Sequence, residues 1–359
     1  MSIYRLKNEP KLYAWGSLEL IPGLMRTDSS GQPQAEVWFG SHKLDPSEID
    51  DPIGGNLLER VGDLPYLVKL LAAAKPLSIQ AHPTRERASE QFGLGNPSYQ
   101  DDNHKPELIV AVSDFSALCG FRPLKDIERD LGLLASANPI FHDWLQAFRQ
   151  GGLKAATRFA LEASSALVGQ LVEQAAVLDP ERKQLTEQLN QEYPLDSGIA
   201  VSVLMNLVTL EPGQALYLPA GNIHSYLAGL GVEVMAASDN VLRGGLTSKP
   251  LDREELMQVL EFEPLEHPKV SAKNIASGLV EYPVGVPDFK VYQVSPSSDR
   301  MLIDLKLVDS AILVCIAGEI VLSNSLGEME KLGPGEAAFI RSANLFSITG
   351  SGTGYLAMG

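Results

Sequence analysis

The sequence predicts a mainly β protein made of two related barrels, with an α-helical domain inserted into the first barrel. Three observations support this prediction: short apolar segments divided by Pro and Gly at both ends of the chain, a long central stretch of strong helix formers, and an internal repeat. The predicted domains are a first barrel of residues 1–124 plus 197–265, a helical insert of residues 125–196, and a C-terminal barrel of residues 266–359.

The N-terminal part of the chain consists of strand-like segments. Residues 1–45 contain IYRLKNEP, KLYAWGS and EVWFGSHKL, which are separated by turn residues. The apolar run PYLVKLLAAA follows and contains a single cation, Lys69. A lysine in such a run normally extends to solvent, and the alternative is that Lys69 points into a polar cavity. The next segment, LSIQAHP, predicts a strand that stops at Pro83.

The central stretch changes character after Pro123. From Leu124 to about Tyr193 the chain is rich in Ala, Leu, Gln, Glu and Lys, with apolar residues at helical spacing. Breaks are predicted at Asn138-Pro139, Gly151-Gly152 and Asp179-Pro180. After Ser197 we expect strands to resume with GIAVSVLMNLVTL, and DREELMQVLEF predicts one further helix capped by Asp252.

An internal repeat relates the two predicted barrels. The segment EPGQALYLPAGNIH, which starts at Glu211, aligns without gaps on GPGEAAFIRSANLF, which starts at Gly333. Gly213 matches Gly335, whereas His224 matches Phe346. The second copy therefore keeps the strand and turn pattern but lacks the histidine, which predicts one barrel with a metal site and one without.

Composition and charge limit the classes of partner. The chain has 359 residues, 45% of them hydrophobic, and a net charge of −16. Because an acidic surface repels nucleic acid and anionic membranes, we expect neither as a partner. A phosphorylated substrate would need a local basic cluster.

Cys119 and Cys315 lie in apolar surroundings and predict buried thiols of a reducing compartment. No apolar signal core or bilayer-length run is present, so a cytoplasmic protein is expected.

The residues from 75 to 108 predict half of a metal site. Gln80 and His82 are two apart in a predicted strand, so their side chains share one face with Ser78. Glu107 precedes the apolar run LIVAV, and His224 follows a turn marked by Gly and Pro. Two imidazoles, a carboxylate and an amide oxygen favour Zn²⁺, with Fe²⁺ or Mn²⁺ as alternatives that cavity geometry would decide.

Several motifs carry a resemblance to a known family. The spacing Gly213-x5-Pro219-x-Gly221-x2-His224 resembles the second motif of cupins, which are small jelly-roll barrels that hold a metal among their strands. Cupins usually offer His-x-His in the first motif, and Gln80-x-His82 departs from that pattern. The chain is similar to the type I phosphomannose isomerases in five segments, namely KPLSIQAHP, DDNHKPELIVAV, CGFRP, LPAGNIHSYL and SDNVLRGGLTSK.

This resemblance implies a fold, a cofactor and a reaction. It implies two cupin-type jelly-roll barrels and one zinc ion per chain, and the family's reaction interconverts mannose 6-phosphate and fructose 6-phosphate. The implied metal ligands are Gln80, His82, Glu107 and His224. The implied catalytic arginine is Arg243, and the implied contacts to the substrate phosphate are Ser78, Lys69 and Lys249. The pathway stays open between mannose use as a carbon source and GDP-mannose supply.

The general base and the oligomeric state stay open at this point. The candidates for the base are His104, Lys105 or a water at the metal, and Glu107 could pair with Lys105 instead of binding the metal. We expect a cis-enediol intermediate and a monomer, with an oligomer as the alternative. A metal-binding cupin that only binds sugar and an iron oxygenase-type cupin are the rival functions.

Overall fold

The computed structural model describes residues 3–296, 301–303, 310–341 and 346–359, with only the backbone considered for 301–303. The protein is mainly β with a helical region between two groups of strands, as predicted. The strands that precede or surround the helical region are β1 Ile3–Lys7, β2 Glu36–Phe39, β3 Glu48–Ile49, β4 Tyr66–Ala73, β5 Ile79–Ala81, β6 Glu107–Ala111, β7 Phe115–Phe121, β8 Met205–Leu210, β9 Ala215–Leu218, β10 His224–Ala236 and β11 Leu242–Gly245. The C-terminal strands are β12 Lys273–Ala276, β13 Leu279–Tyr282, β14 Lys290–Val294, β15 Met301–Ile303, β16 Ser310–Ala317, β17 Ile320–Asn324, β18 Met329–Leu332, β19 Ala337–Arg341, β20 Phe346–Gly350 and β21 Thr353–Met358.

The central sheet is organised around β10, a strand of 13 residues. The first part of β10 pairs with β5 and β7, and the part from Gly229 onwards pairs with β4 and β6. A register shift lies between Tyr226 and Ala228, and Gly229 has a φ of 119°. A Cβ at Gly229 would lie 2.5 Å from the carbonyl oxygen of Asp114, so only glycine fits where the strand changes partners.

The C-terminal strands form a second and a third sheet. The second sheet has the order β12-β13-β14-β21-β16-β19-β1-β3, and the third has the order β15-β20-β17-β18. The N-terminal strand β1 therefore pairs with β19 of the C-terminal part of the chain. One apolar cluster joins the central and second sheets, because Tyr66 and Val68 share it with Val291 and Phe339. The division into domains at 124, 197 and 265 remains a prediction.

The two copies of the internal repeat have the same local structure where both are described. Gly213 and Gly335 have φ values of 87° and 83°, a region that favours glycine, and each precedes a short strand, β9 or β19. His224 begins β10 as Phe346 begins β20. Residues 342–345, which complete the second copy, lie outside the described residues.

The helical region shares one apolar core with the central sheet. The helices are α1 Leu20–Met25, α2 Leu57–Val61, α3 Arg85–Gly93, α4 Leu124–Ala137, α5 His142–Leu161, α6 Ser165–Gln174, α7 Pro180–Glu192, α8 Gly198–Val203 and α9 Arg253–Val259, with 3-10 turns at Pro139–Phe141 and Ala175–Val177. Buried Phe141 and Trp144 pack in one cluster with Leu118 and Phe121 of β7, which fixes the insert against the central sheet.

Among the described residues, no helix combines the length and apolar character that crossing a bilayer requires.

Most of the predicted helix boundaries are confirmed, and one prediction is wrong. Asp179 caps α7 by accepting from the backbone N–H of Arg182, and Asp252 caps α9 in the same way. The predicted break at Gly151-Gly152 is confirmed as a kink inside α5, where Gly152 has a non-helical φ of 62° and ψ of −155°. The segment GIAVSV, which we predicted as a strand, is α8. All six of its residues are buried, and a short apolar run has no periodicity that separates a buried helix from a strand.

Candidate metal centre

Cross-strand pairing of β11, β5 and β10 places three predicted site residues side by side. Gln80 on β5 is in register with His224 on β10 and with Arg243 on β11. Directly paired residues of antiparallel strands place their side chains on the same face of the sheet. Gln80, His224 and Arg243 therefore share one face, although 163 residues of chain separate the first from the last.

His82 and Glu107 complete the cluster with His224. His82 follows β5 and is fully buried, and Glu107 opens β6. His82 Nε2 lies 3.3 Å from Glu107 Oε1, and His224 Nε2 lies 3.4 Å from Glu107 Oε2. A tetrahedral zinc ion with ligands at about 2.0–2.1 Å separates neighbouring ligand atoms by about 3.3–3.4 Å. Each of the three residues offers a ligand atom within 4.8 Å of the other two, so the cluster has the donor set and the proximity that one zinc ion needs.

The hydrogen bonds behind the two histidines fix which ring nitrogen faces the cluster. His82 Nδ1 lies 2.7 Å from the carbonyl oxygen of Asn240, and His224 Nδ1 lies 3.0 Å from that of Asn222. Because a carbonyl oxygen only accepts, each Nδ1 carries the proton and each Nε2 presents a lone pair. His82 Nε2 and Glu107 Oε2 are buried and have no hydrogen-bond partner. These acceptors converge on one point, which a cation would satisfy.

The electrostatics of the cluster keep the ligands in the forms that bind a metal. Complete burial lowers the pKa of His82 to about 4, so its imidazole stays neutral near pH 7. Burial alone would raise the pKa of Glu107, but Lys105 and the two imidazoles outweigh that effect and hold it well below its usual range. The carboxylate is therefore charged, and the imidazole of His82 can donate a lone pair.

Gln80 and Lys105 lie at the edge of the cluster. The Nε2 atom of Gln80 is 3.2 Å from His224 Nε2, and rotating the amide by half a turn would present its oxygen instead. Lys105 is buried, and its Nζ lies 2.9 Å from Glu107 Oε1. Glu107 thus contacts both the lysine and the imidazoles, so the two roles that the sequence suggested for it are compatible in space.

Arg243 borders a cavity of 360 Å³ that Gln100 and Asp239 also line. Its half-buried guanidinium has no carboxylate within 4.0 Å in the parts of the chain that the structure describes, and desolvation lowers its pKa. A guanidinium stays protonated despite such a shift. Arg243 therefore offers an uncompensated positive charge beside the metal ligands.

Comparisons with known proteins agree with this site. Residues 3–124 match the family model described as phosphomannose isomerase type I, catalytic domain. The chain is 33% identical to the mannose-6-phosphate isomerase of Escherichia coli (strain K12) over an alignment of 387 positions that covers 98% of each protein. The chain belongs to the type I phosphomannose isomerase family.

Solved structures of the family have the same fold. A mutant of the phosphomannose isomerase from Salmonella typhimurium superposes with a TM-score of 0.92 at 31% identity, and each chain is covered completely. A zinc-bound mannose 6-phosphate isomerase superposes with a TM-score of 0.90 at 31% identity, also over the whole of both chains. Members of this family thus share the whole architecture, including the helical region.

The three predicted phosphate contacts have different surroundings. Lys69 is 6% exposed, and its Nζ lies 3.2 Å from Glu233 Oε2 and 3.6 Å from Glu36 Oε1. Burial would lower the pKa of Lys69, but the two carboxylates outweigh burial and raise it. Ser78 is partly exposed just before β5, and Lys249 is exposed after β11. The phosphate-binding role of these residues remains a prediction.

Sequence reasoning missed polar residues that support the site. Glu233 accepts a hydrogen bond from the Tyr226 hydroxyl at 3.0 Å and holds Lys69. Glu233 is the single charged residue in the apolar run GVEVMAA, as Lys69 is in PYLVKLLAAA. An isolated charge in an apolar run is the sequence signal that could have indicated it. His104 contacts Asp288, whose importance no local pattern indicates, because 184 residues separate the two.

Asn240 anchors the loop that leads to Glu107 and holds His82 at the same time. Its side chain accepts from the backbone N–H of Gln100 at 2.8 Å and donates to the carbonyl oxygens of Asp101 and Asn103, each at 2.8 Å. Its own carbonyl accepts from His82. The buried amide therefore sets the orientation of a metal ligand through the backbone.

We expect Asn240→Ala to weaken zinc binding by up to the 10–100-fold that losing an outer partner of a metal ligand typically costs, because the backbone carbonyl that faces His82 stays but the side-chain anchors that hold it in place are lost. Competition against a chelator of known zinc affinity measures this. Asn138→Ala is the matched control, because Asn138 holds Ile140 and Gln170 in the helical region and contacts no site residue. Equal losses of zinc affinity in both variants would contradict the assignment.

Proposed function

We propose that this protein interconverts mannose 6-phosphate and fructose 6-phosphate with one zinc ion held by Gln80, His82, Glu107 and His224. The observation that carries the proposal is the set of buried acceptors on His82 and Glu107 that converge without a hydrogen-bond partner beside Arg243, which forms no ion pair with any described residue. The names of the relatives support the substrate, and the zinc-bound family structure supports the metal.

The proposed reaction moves a proton between C2 and C1 of the sugar through a cis-enediol. The difficulty is that a carbon next to an ordinary carbonyl is a weak acid. When bound, zinc supplies Lewis acid chemistry at the two sugar oxygens. Arg243 shares a face with Gln80 and His224, so its donors can stabilise the negative charge that develops on those oxygens.

Two groups of the chain can carry the proton. Lys105 Nζ is within the site, since it lies 2.9 Å from Glu107 Oε1. His104, the preceding residue, has Nε2 engaged by Asp288 and keeps Nδ1 for a transferred proton. A positioned acid or base of this kind contributes typically about 10²–10⁴ in rate. We propose that both residues belong to the catalytic machinery.

The substrate phosphate would be held away from the reacting carbons. Ser78 and Lys249 are the predicted contacts whose side chains solvent can reach, whereas Lys69 would act mainly through its charge. Binding energy from the phosphate would orient the sugar over the metal ligands. A local positive field from Lys105 and Arg243 would offset the net charge of −16.

The finer architecture and the biological setting are also proposals. The matching glycines and strands of the internal repeat support two cupin-type jelly-roll barrels, one with the metal ligands and one without. We propose a monomeric cytoplasmic enzyme of mannose metabolism and GDP-mannose supply. We expect no nucleic-acid or membrane partner.

The test is turnover of mannose 6-phosphate by the zinc-loaded protein in deuterium oxide. We expect fructose 6-phosphate to form and to carry solvent deuterium at C1 after many turnovers, because the proton held by the base can exchange with solvent while the enediol exists. Unphosphorylated mannose is the control and should react far more slowly. Binding of mannose 6-phosphate without turnover would favour a sugar-binding cupin, and product free of deuterium would contradict the enediol.

A further inference from the structure

One side chain of the C-terminal part of the chain reaches the loop that leads into the candidate metal centre. Asp288 lies just before β14 and is only 8% exposed. Its Oδ2 lies 2.8 Å from His104 Nε2, and its Oδ1 accepts from Arg85 Nη2 at 2.7 Å. Both carboxylate oxygens are thus engaged by residues that belong to the central part of the protein.

His104 lies close to the metal ligands along the chain. It immediately precedes Lys105, and Glu107 lies three positions further along the chain. Three extended residues span at most about 11 Å, so the Cα atoms of His104 and Glu107 cannot be farther apart than that. A residue that fixes the imidazole of His104 therefore acts on the segment that leads into the candidate site.

The contacts of His104 decide where its proton lies. Arg85 Nη2 is 2.7 Å from the same Nε2 atom, but a guanidinium only donates. If Nε2 accepted from Arg85, it would carry no proton, and Asp288 Oδ2 would face a lone pair instead of a hydrogen-bond donor. If Nε2 donates to Asp288, both carboxylate oxygens are satisfied, and Nδ1 keeps a lone pair. The second arrangement is favoured because it leaves no carboxylate oxygen without a donor, and Arg85 then donates to Asp288 Oδ1 rather than to the ring nitrogen.

We propose that Asp288 is a positioning residue for His104, so that the C-terminal part of the chain, whose described residues hold no cluster of metal ligands, completes the active site of the central sheet. This inference rests on the proposed function through the role of His104 in proton transfer. The Nδ1 atom takes up the proton from one sugar carbon and returns it to the neighbouring carbon. Asp288 orients the ring and stabilises the imidazolium that exists between these steps.

The experiment is a double-mutant cycle of Asp288→Asn and His104→Gln on the zinc-loaded full chain. We expect Asp288→Asn to lower kcat at least about tenfold with KM and zinc content unchanged, because proton transfer by a positioned group supplies about 10²–10⁴ in rate. The double variant should be no slower than His104→Gln, since one residue acts through the other. If Asp288→Asn does not fold, Asp288→Glu is expected to lower kcat in the same direction.

The matched control is Glu330→Gln. It removes another ion pair between the N-terminal strand and the C-terminal sheets, from Arg5 to Glu330 at 2.7 Å, and touches no site residue. A kcat for Asp288→Asn equal to that of Glu330→Gln, or losses that simply add in the double variant, would overturn the inference. Full activity of His104→Gln would also overturn it and leave the metal assignment intact, whereas an inactive wild-type protein would reject the proposed function itself.

Discussion

Replacement of Arg243 by alanine is expected to lower kcat for mannose 6-phosphate about 10²–10³-fold, the typical cost of removing one preorganised donor of an oxyanion site. Zinc content should stay at one ion per chain, because Arg243 faces the ligands but does not hold them. The guanidinium has no carboxylate partner within the described residues, so its removal should cost little stability. Steady-state kinetics and metal analysis of the purified variant measure both effects.

Arg253→Ala is the matched control for this prediction. Arg253 lies ten positions further along the chain and donates to the carbonyl oxygen of Leu161, away from the metal ligands. It should keep nearly full activity. Arg243→Lys should fall between the two variants, because lysine keeps the charge but loses the planar fork. Loss of zinc from Arg243→Ala would instead make Arg243 a structural residue.

Replacement of His82 by alanine is expected to remove both the metal and the activity. The variant leaves Glu107 and His224 without the third member of the buried cluster. The Lewis acid contribution of a metal amounts to several kcal/mol, so kcat should fall by about 10³ or more. Metal analysis after exhaustive dialysis should find no stoichiometric zinc.

His142→Ala is the control for the histidine substitution. His142 is exposed at the start of α5 in the helical region, so the variant should keep both zinc and activity. Full zinc content in His82→Ala after dialysis would show that His82 is not a ligand, whatever its effect on the rate.

The local features of this fold could be predicted from sequence because they depend on residues that are near one another in the chain. The helical breaks at Asn138-Pro139 and Asp179-Pro180 follow from capping and proline chemistry, and the structure has a helix end at each. The segment GIAVSV could not be assigned correctly, since its helical form depends on burial against α5 and β11. The pairing of β1 with β19 likewise depends on contacts across more than 300 residues.

The candidate site could be predicted in part for the same reason. The residues Gln80, His82, Glu107 and His224 lie in motifs, and strand pairing brings them together. The counter-ions of Lys69 and the contact from Asp288 to His104 lie on separate segments, so no pattern near either residue indicates them. Sequence alone therefore indicates which groups can bind a metal, whereas the structure is needed to see which charges are already compensated.

The central claim is that zinc at the buried cluster is required for isomerisation of mannose 6-phosphate. The most direct measurement is fructose 6-phosphate formation before chelation, after chelation, and after one equivalent of zinc is returned. We expect activity to disappear with the chelator and to return with zinc in wild type, but not to return in His82→Ala. Full activity in protein shown by analysis to be free of metal would contradict the account.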